Sequence, residues 1–302
     1  KRQISAKFKK LLYLRKLMKG IILAGGKGTR LHPITKTVSK QLLPVYNKPM
    51  IYYPINTLIE MGIKEILIIT TPKDQEYFKD LLLNNNEFDI KFDFKIQNKP
   101  NGIAEAFIIG KDFIQKENVC LILGDNLFFN SEYILNNKLK NSSKIFVLEV
   151  GNPNSYGVLE LNKNKPILIH EKPKKNISNY AVVGLYMFNN SVIDKVKKLK
   201  PSPRGELEIT SINEIYLKLN LLNVELMGRG YAWLDTGTHE SLLEASTFIE
   251  TIERRQGLKI ACIEEIAYQK GFISKDELEN IAESLRNNQY GDYLKKCIRG
   301  LN

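Results

Sequence analysis

Short aliphatic runs alternate with segments of helical period through the first half of the chain. GIILAG (20–25), EILIIT (65–70), FDFKIQ (92–97) and NVCLILG (118–124) read as buried strands. Between them MIYYPINTLIEMG (50–62), DQEYFKDLLLN (74–84) and IAEAFIIGKDFIQ (103–115) place apolar residues three and four apart, as a half-buried helix requires. Continuous aliphatic strands separated by helices predict an α/β fold, a mostly parallel sheet covered on both faces and joined by right-handed crossovers. In such sheets a ligand sits beyond the carboxyl ends of the strands. Gly25–Arg30 and Gly124–Asn126 both fall at those ends, so Asp125 is expected on the same rim as the first loop.

After Asn130 the pattern shortens. KIFVLEV, YGVLELN, PILIHEKP and YAVVGLYMFN follow one another with Gly, Pro and Asn turns, which predicts a strand-rich insertion. Helical periods return at SVIDKVKKLK and EITSINEIYLKLN, then a strand at NVELMG and a loop at RGYAWLDTGT. Thr238 is placed to N-cap a long helix, HESLLEASTFIETIERRQ, that Gly257 closes. From Leu258 the chain reads as helical hairpins. The division expected is a basic extension over 1–17 outside the fold, a catalytic unit over 18–257 and a helical C-terminal segment over 258–302.

Charge changes this picture only at one end. The net charge is +12, but residues 1–17 carry seven Lys and Arg and no acid, and removing them leaves +5. A body of that charge suits an enzyme of phosphate-bearing substrates and does not call for nucleic acid. The extension lacks the unbroken apolar core of a secretory signal, although Phe8, Leu11, Leu12 and Arg15 have the spacing of a short basic amphipathic helix. No run reaches the length of a membrane span. Three widely spaced cysteines (Cys120, Cys262 and Cys297) argue against a disulfide framework and for a reducing, cytoplasmic setting.

The chemistry concentrates in GIILAGGKGTRLHPITKTVSKQLLPVYNKPM (20–50), where a strand empties into glycines and then into Lys27, Arg30, Lys36 and Lys40 without one acidic residue. Glycines let backbone N–H groups approach phosphate oxygens, and Thr29 and Arg30 add a donor and a charge. Neither the Walker A spacing nor a G-x-G-x-x-G fits, since Lys27 precedes Gly28 and Leu31 stands where the third glycine would be. Asp125 in LGDN and Asp235 in WLDTGT are two carboxylates of the kind that hold Mg²⁺ together with substrate phosphates, if the fold makes them meet. In HEKP (170–173) Glu171 suits sugar hydroxyls and Lys172 a phosphate. The three histidines have no zinc-ligand spacing, and no arrangement announces a protein nucleophile. Phosphate-transfer chemistry needs positioning and charge neutralisation more than a nucleophile.

These blocks, with Gln97 ahead of PNGIAEAFIIG, YGV, YAVVGLY, RGELEIT and GRGYAWLDTGTHESLLEAS, resemble the glucose-1-phosphate thymidylyltransferase family in unbroken order from Met18 to about Tyr293. The resemblance implies a Rossmann-like mixed sheet with a sugar-binding insertion and a C-terminal helical appendix. It implies that Gly25, Gly28, Thr29 and Arg30 wrap the triphosphate of dTTP, with Lys40 and Gln41 nearby, and that Gln97 and the backbone of Gly102 meet the thymine edge. Asp125 and Asp235 would hold Mg²⁺. Tyr156, Gly157, Glu171 and Val182 would line the glucose pocket, Lys172 and Arg204 would take its phosphate, and Trp233 would brace the metal loop. Arg30, Lys172 and Asp125 would be the catalytic residues. The family also implies a homotetramer. His32 and Ser211 stand where the family pattern has tyrosine and aspartate.

Two alternatives follow from the same residues. One is the same chemistry with UTP or another sugar 1-phosphate, because a single methyl separates thymine from uracil. The other is a silent regulatory relative, which the presence of Arg30, Asp125, Lys172 and Asp235 disfavours. Nucleic acid and membrane are not expected partners.

Overall fold

The structure is a computed structural model that describes residues 18–84, 88–129, 139 and 141–300. The basic extension over 1–17 lies outside the described residues, and so do the readings made of it.

Strands β1 (Met18–Ala24), β4 (Glu65–Thr70), β5 (Lys91–Ile96) and β6 (Asn118–Leu123) form the parallel heart of a nine-stranded sheet. β2 (Pro44–Val45) and β3 (Lys48–Pro49) make a small hairpin, and α1 (Tyr52–Glu60) and α2 (Gln75–Leu83) are crossover helices. β1 lies between β4 and β6, with Ile21 opposite both Leu67 and Leu121. The aliphatic runs are uninterrupted because successive side chains feed two different cores. Ile22, Ile68 and Ile122 face one layer with Ile55 and Leu58 of α1, while Ile21, Leu67 and Leu121 face the other with Phe107 and Ile114.

The segment read as one helix over 103–115 is two, α3 (Glu105–Ile109) and α4 (Lys111–Ile114), meeting at Gly110. Gly110 packs against β1, where a Cβ would stand 2.9 Å from Ile21 Cδ1. Close helix–sheet packing interrupts the period here.

Beyond β7 (Asn126–Phe129) the strand-rich region extends the central sheet. β8 (Ser143–Glu149) and β11 (Tyr180–Phe188) are antiparallel to each other, and β11 is antiparallel to β6. β9 (Gly157–Asn162) and β10 (Lys165–Glu171) form the outer hairpin, β9 pairing with β11 through Ala181 and Val182. After α5 (Val192–Val196) and α6 (Ile209–Lys218), β12 (Leu222–Met227) joins β8 in parallel. β13 (Ala232–Asp235) pairs antiparallel with β7, with Asp235 opposite Asn126.

The helix α7 (His239–Gln256) begins at Thr238, whose hydroxyl accepts from the Ser241 N–H, and ends at Gly257 in the left-handed conformation, as the capping residues predict. α8 (Ile263–Gln269), α9 (Lys275–Ser284) and α10 (Gln289–Gly300) follow. Their apolar faces, including Ile263, Leu278, Ile281 and Leu294, share one core with Ile22 and Ile68 of the sheet. No helix among the described residues is long and apolar enough to cross a membrane.

Candidate functional site

The glycine-rich loop leaves the end of β1 and turns back as three short 3-10 turns, at Thr29–Leu31, Ile34–Lys36 and Lys40–Leu42. Gly28 has φ +60°, and its carbonyl accepts from Leu31 N–H at 2.9 Å and from the Thr35 hydroxyl at 2.7 Å. A side chain there would meet Thr35 Cγ2 at 3.1 Å and Lys40 Cβ at 3.3 Å. The curl therefore needs glycine. It leaves Thr29 and Arg30 exposed above the strand ends and carries Lys40 beneath.

Lys40 is 5% exposed, and its ammonium lies 2.6 Å from Asp125 Oδ2. Asn126 Nδ2 donates to Asp125 Oδ1 at 2.9 Å. Asn126 Oδ1 in turn accepts from Trp233 Nε1 at 2.7 Å and Gly184 N–H at 3.1 Å. Trp233 thus braces the strand pair carrying the two aspartates, and its ring packs edge-on to Tyr156 at 4.7 Å between centroids.

The β7–β13 pairing brings Asp125 and Asp235 onto one rim. Thr236 reinforces the junction, its N–H and hydroxyl reaching Asp125 O at 3.3 and 3.0 Å. Burial raises the Asp235 pKa above the usual aspartate range, and the neighbouring Asp125 carboxylate raises it further. Lys40, Arg30 and the Tyr156 hydroxyl oppose that rise without cancelling it. Burial and Asp235 push the Tyr156 hydroxyl up to about 12, so it stays a donor at neutral pH. Gly237 follows, and a Cβ on it would stand 2.9 Å from an Arg30 Nη. The guanidinium lies on the bare backbone of the loop that carries Asp235.

One cavity opens at this rim and a second at the glycine-rich loop. One, of about 840 Å³, is bounded by Arg30, Asp125, Tyr156, Glu171, Lys172 and Asp235, with Gly157, Val182 and Arg204 also in its wall. Glu171 Oε2 accepts from the Thr210 hydroxyl at 2.5 Å, and Oε1 accepts from Arg204 at 3.1 Å. Lys172 is exposed with φ +45°, held by its N–H on Tyr156 O at 3.0 Å. Burial works against the Arg204 charge, but Glu208, Glu171 and Glu206 outweigh it and raise its pKa.

The other cavity, of about 720 Å³, is lined by Gly25, Lys27, Ser39, Lys73, Gln97 and Lys99 among others. Gln97 is 5% exposed and its Nε2 donates to Gly102 O at 3.3 Å and Glu105 Oε2 at 2.8 Å, which turns Oε1 toward Gly25. Gly102 has φ +105° and is pressed against the backbone of Leu207. Gln41 lines neither cavity. It is buried beneath Gly124 and accepts from the Ser39 hydroxyl at 2.9 Å.

Among the residues named from the sequence, Arg30, Lys40, Asp125, Tyr156, Glu171, Lys172 and Asp235 are brought together. Asn126, Thr210 and Asn213 were not singled out from the sequence. Asn126 is signalled only by adjacency to Asp125, and the other two by the start of a helix whose buried face could not be assigned. Among the described residues no three His, Cys, Asp or Glu side chains cluster as a metal site. Two neighbouring carboxylates in one cavity wall nevertheless suit a hard divalent ion that takes its other ligands from substrate phosphates.

A basic loop, a carboxylate pair and two cavities at the carboxyl ends of a parallel sheet define an enzyme that handles phosphorylated substrates. The model of the nucleotidyl transferase family matches residues 19–252, and the chain belongs to that family, whose members generally use a divalent metal. Within it, the chain is similar to glucose-1-phosphate thymidylyltransferases. It is 50% identical over 287 residues to the one from Neisseria meningitidis serogroup A, covering 93% of this chain and 100% of the relative. It is 51% identical to the one from Mycolicibacterium smegmatis, covering 93% and 99%. A Bacillus anthracis structure described as a glucose-1-phosphate thymidylyltransferase in complex with a sucrose superposes with a TM-score of 0.71 at 42% identity, over 76% of this chain and 94% of that one. A UDP-glucose pyrophosphorylase complexed with UDP-glucose shares the fold, with a TM-score of 0.68 at 23% identity.

Proposed function

We propose that this nucleotidyltransferase transfers a thymidylyl group from dTTP to α-D-glucose 1-phosphate, releasing dTDP-glucose and pyrophosphate. The observation that carries the reading is one cleft with Arg30, Asp125 and Asp235 in its wall, in a chain about half identical to thymidylyltransferases. The nucleoside is assigned to the cavity of Gly25 and Gln97, with the Gly102 backbone bonded to Gln97 beside it, and the triphosphate to Gly28, Thr29, Arg30 and Lys40. Gln41, being buried, supports that loop from below. The sugar phosphate is assigned to the other cleft, with Tyr156, Gly157, Glu171 and Val182 at the hexose and Lys172 and Arg204 toward the phosphate.

The acceptor phosphate is an anion at neutral pH, so its oxygen attacks the α-phosphorus of dTTP without a general base. Arg30 and Lys172, both in the wall of the acceptor cleft, offset the charge that builds on the bridging and leaving oxygens, a contribution of several kcal/mol. Arg30 is held for this by the backbone of Gly237, and Lys172 by its bonded backbone and left-handed turn. Lys40 balances Asp125 and packs beneath Gly28, within reach of a triphosphate held by that loop. Tyr156 keeps its proton and donates to Asp235, which orients that carboxylate. Mg²⁺ held by Asp125 and Asp235 would supply Lewis-acid neutralisation of the phosphate oxygens.

The same proposal places the enzyme in the cytoplasm as a homotetramer, at the entry to dTDP-deoxysugar synthesis of the dTDP-rhamnose type. The test is pyrophosphate release with a matrix of nucleoside triphosphates and sugar 1-phosphates, with light scattering for the assembly. The fastest turnover is expected with dTTP and glucose 1-phosphate. UTP is expected to follow within about 1–3 kcal/mol of transition-state energy, the worth of one methyl in an apolar pocket. A clear preference for another base or sugar would overturn the assignment.

A further inference from the structure

Helix α6 turns Thr210, Asn213 and Tyr216 inward on one face. Tyr216 donates to Asn189 Oδ1 at 2.7 Å, and Thr210 donates to Glu171. Asn213 differs. It is 1% exposed, it forms part of the wall of the acceptor cleft, and neither its Nδ2 nor its Oδ1 has a hydrogen-bond partner among the described residues. A buried amide left unpaired at both ends is a standing cost, since each unmade bond forfeits the desolvation of its group. Its two immediate helical neighbours avoid that cost.

The geometry points to Asn213 as a specificity-determining residue of the acceptor cleft, its carboxamide kept for a sugar hydroxyl, reached directly or through one ordered water. The inference rests on the sugar 1-phosphate reading of that cleft. A carboxamide donates at one end and accepts at the other, so a hydroxyl or a vicinal pair can meet both ends, whereas a phosphate or ring oxygen can only accept. Thr210, one turn earlier on the same face, is uncharged and bonds Glu171, the residue assigned to the hexose, so this part of the wall belongs to the sugar. A site built to bond a hydroxyl rejects the analogue lacking it, because its own polar groups are then left unpaired.

The test is steady-state kinetics of the full chain with dTTP, using glucose 1-phosphate and its 2-, 3-, 4- and 6-deoxy analogues. Asn213→Leu, similar in size without the hydrogen bonds, is expected to raise the KM for glucose 1-phosphate at least tenfold while the KM for dTTP stays within twofold. At least one deoxy analogue that the parent rejects should become as good a substrate as glucose 1-phosphate for the variant. An unchanged acceptor KM, equal shifts for both substrates, or analogue discrimination identical to the parent would overturn the inference. Should Asn213→Leu fail to fold by thermal melting, Asn213→Ser is judged by the same criteria. A parent chain that does not use glucose 1-phosphate would count against the proposed function, whereas an active parent with an indifferent variant counts against Asn213 alone.

Discussion

Glu253, in the last turns of α7, accepts from four donors. They are Asn47 Nδ2 at 2.8 Å, Lys48 Nζ at 3.0 Å, Lys259 Nζ at 3.2 Å and Ile260 N–H at 2.9 Å. The cluster fastens the β2–β3 hairpin, which follows directly on Lys40 and Gln41, to the helix that follows Asp235. Glu253→Ala would leave the charge of Lys48, which is 3% exposed, with only the neutral Asn47 Oδ1 as hydrogen-bond partner. Breaking a buried pair from one side costs about 3–5 kcal/mol. At roughly 2 °C or a little more per kcal/mol for a chain of this size, the melting temperature should fall by about 6–10 °C.

The pair's own electrostatics point two ways. Burial pulls Lys48 below the usual lysine range despite its partner, whereas Glu253, though burial opposes it, is drawn below the glutamate range by Lys48 and the other donors. The carboxylate, with four donors, governs the acid side. A carboxylate depressed in the fold stabilises above its ordinary range and loses that contribution as pH falls through its folded value. The difference in melting temperature between parent and variant should therefore be full at pH 7 and shrink below the ordinary glutamate range. Calorimetry across pH 3–8 checks both points. A double variant, Lys48→Met with Glu253→Leu, should recover most of the loss, because replacing a whole buried pair is far less costly than halving it. A Glu253→Ala variant melting within a degree of the parent, or a double variant worse than the single, would refute the reasoning.

Other expectations concern the rim. Lys172→Ala should lower kcat at least a hundredfold with an unchanged melting temperature, read by pyrophosphate release and scanning fluorimetry. Asp125→Asn should remove the metal-dependent rate and weaken Mn²⁺ binding in the presence of dTTP, followed by electron paramagnetic resonance; full activity would exclude it as a ligand. Gly237→Ala should displace the Arg30 guanidinium and cost tenfold or more in kcat, with a far smaller change in stability.

Much of the fold was legible because the parallel strands are aliphatic on both sides and their connections have helical period. Gly110 shows where that reading fails: the residues around it keep one period, yet contact with Ile21 divides them into two helices. The strand-rich region was visible as strands, but nothing in KIFVLEV or YAVVGLYMFN says that both belong to the central sheet, since partner choice is a property of distant segments. The basic loop and the two aspartates stood out by residue type and by position at strand ends. Their meeting did not, for it depends on β13 finding β7. Asn213 was invisible for a different reason. An asparagine on a helix reads as a solvent-facing residue until burial shows that both ends of its amide are turned inward without a partner.

The joining of β7 to β13 has a consequence for how the enzyme matures. Thr236 and Asp125 bond across 111 residues of sequence, so a growing polypeptide that has finished the whole parallel sheet still lacks half of its acidic pair. The proposed carboxylate pair is therefore completed only when the segment around Asp235 has been made. A fragment ending before Ala232 keeps every residue of the Gln97 cavity and is expected to show no pyrophosphate release.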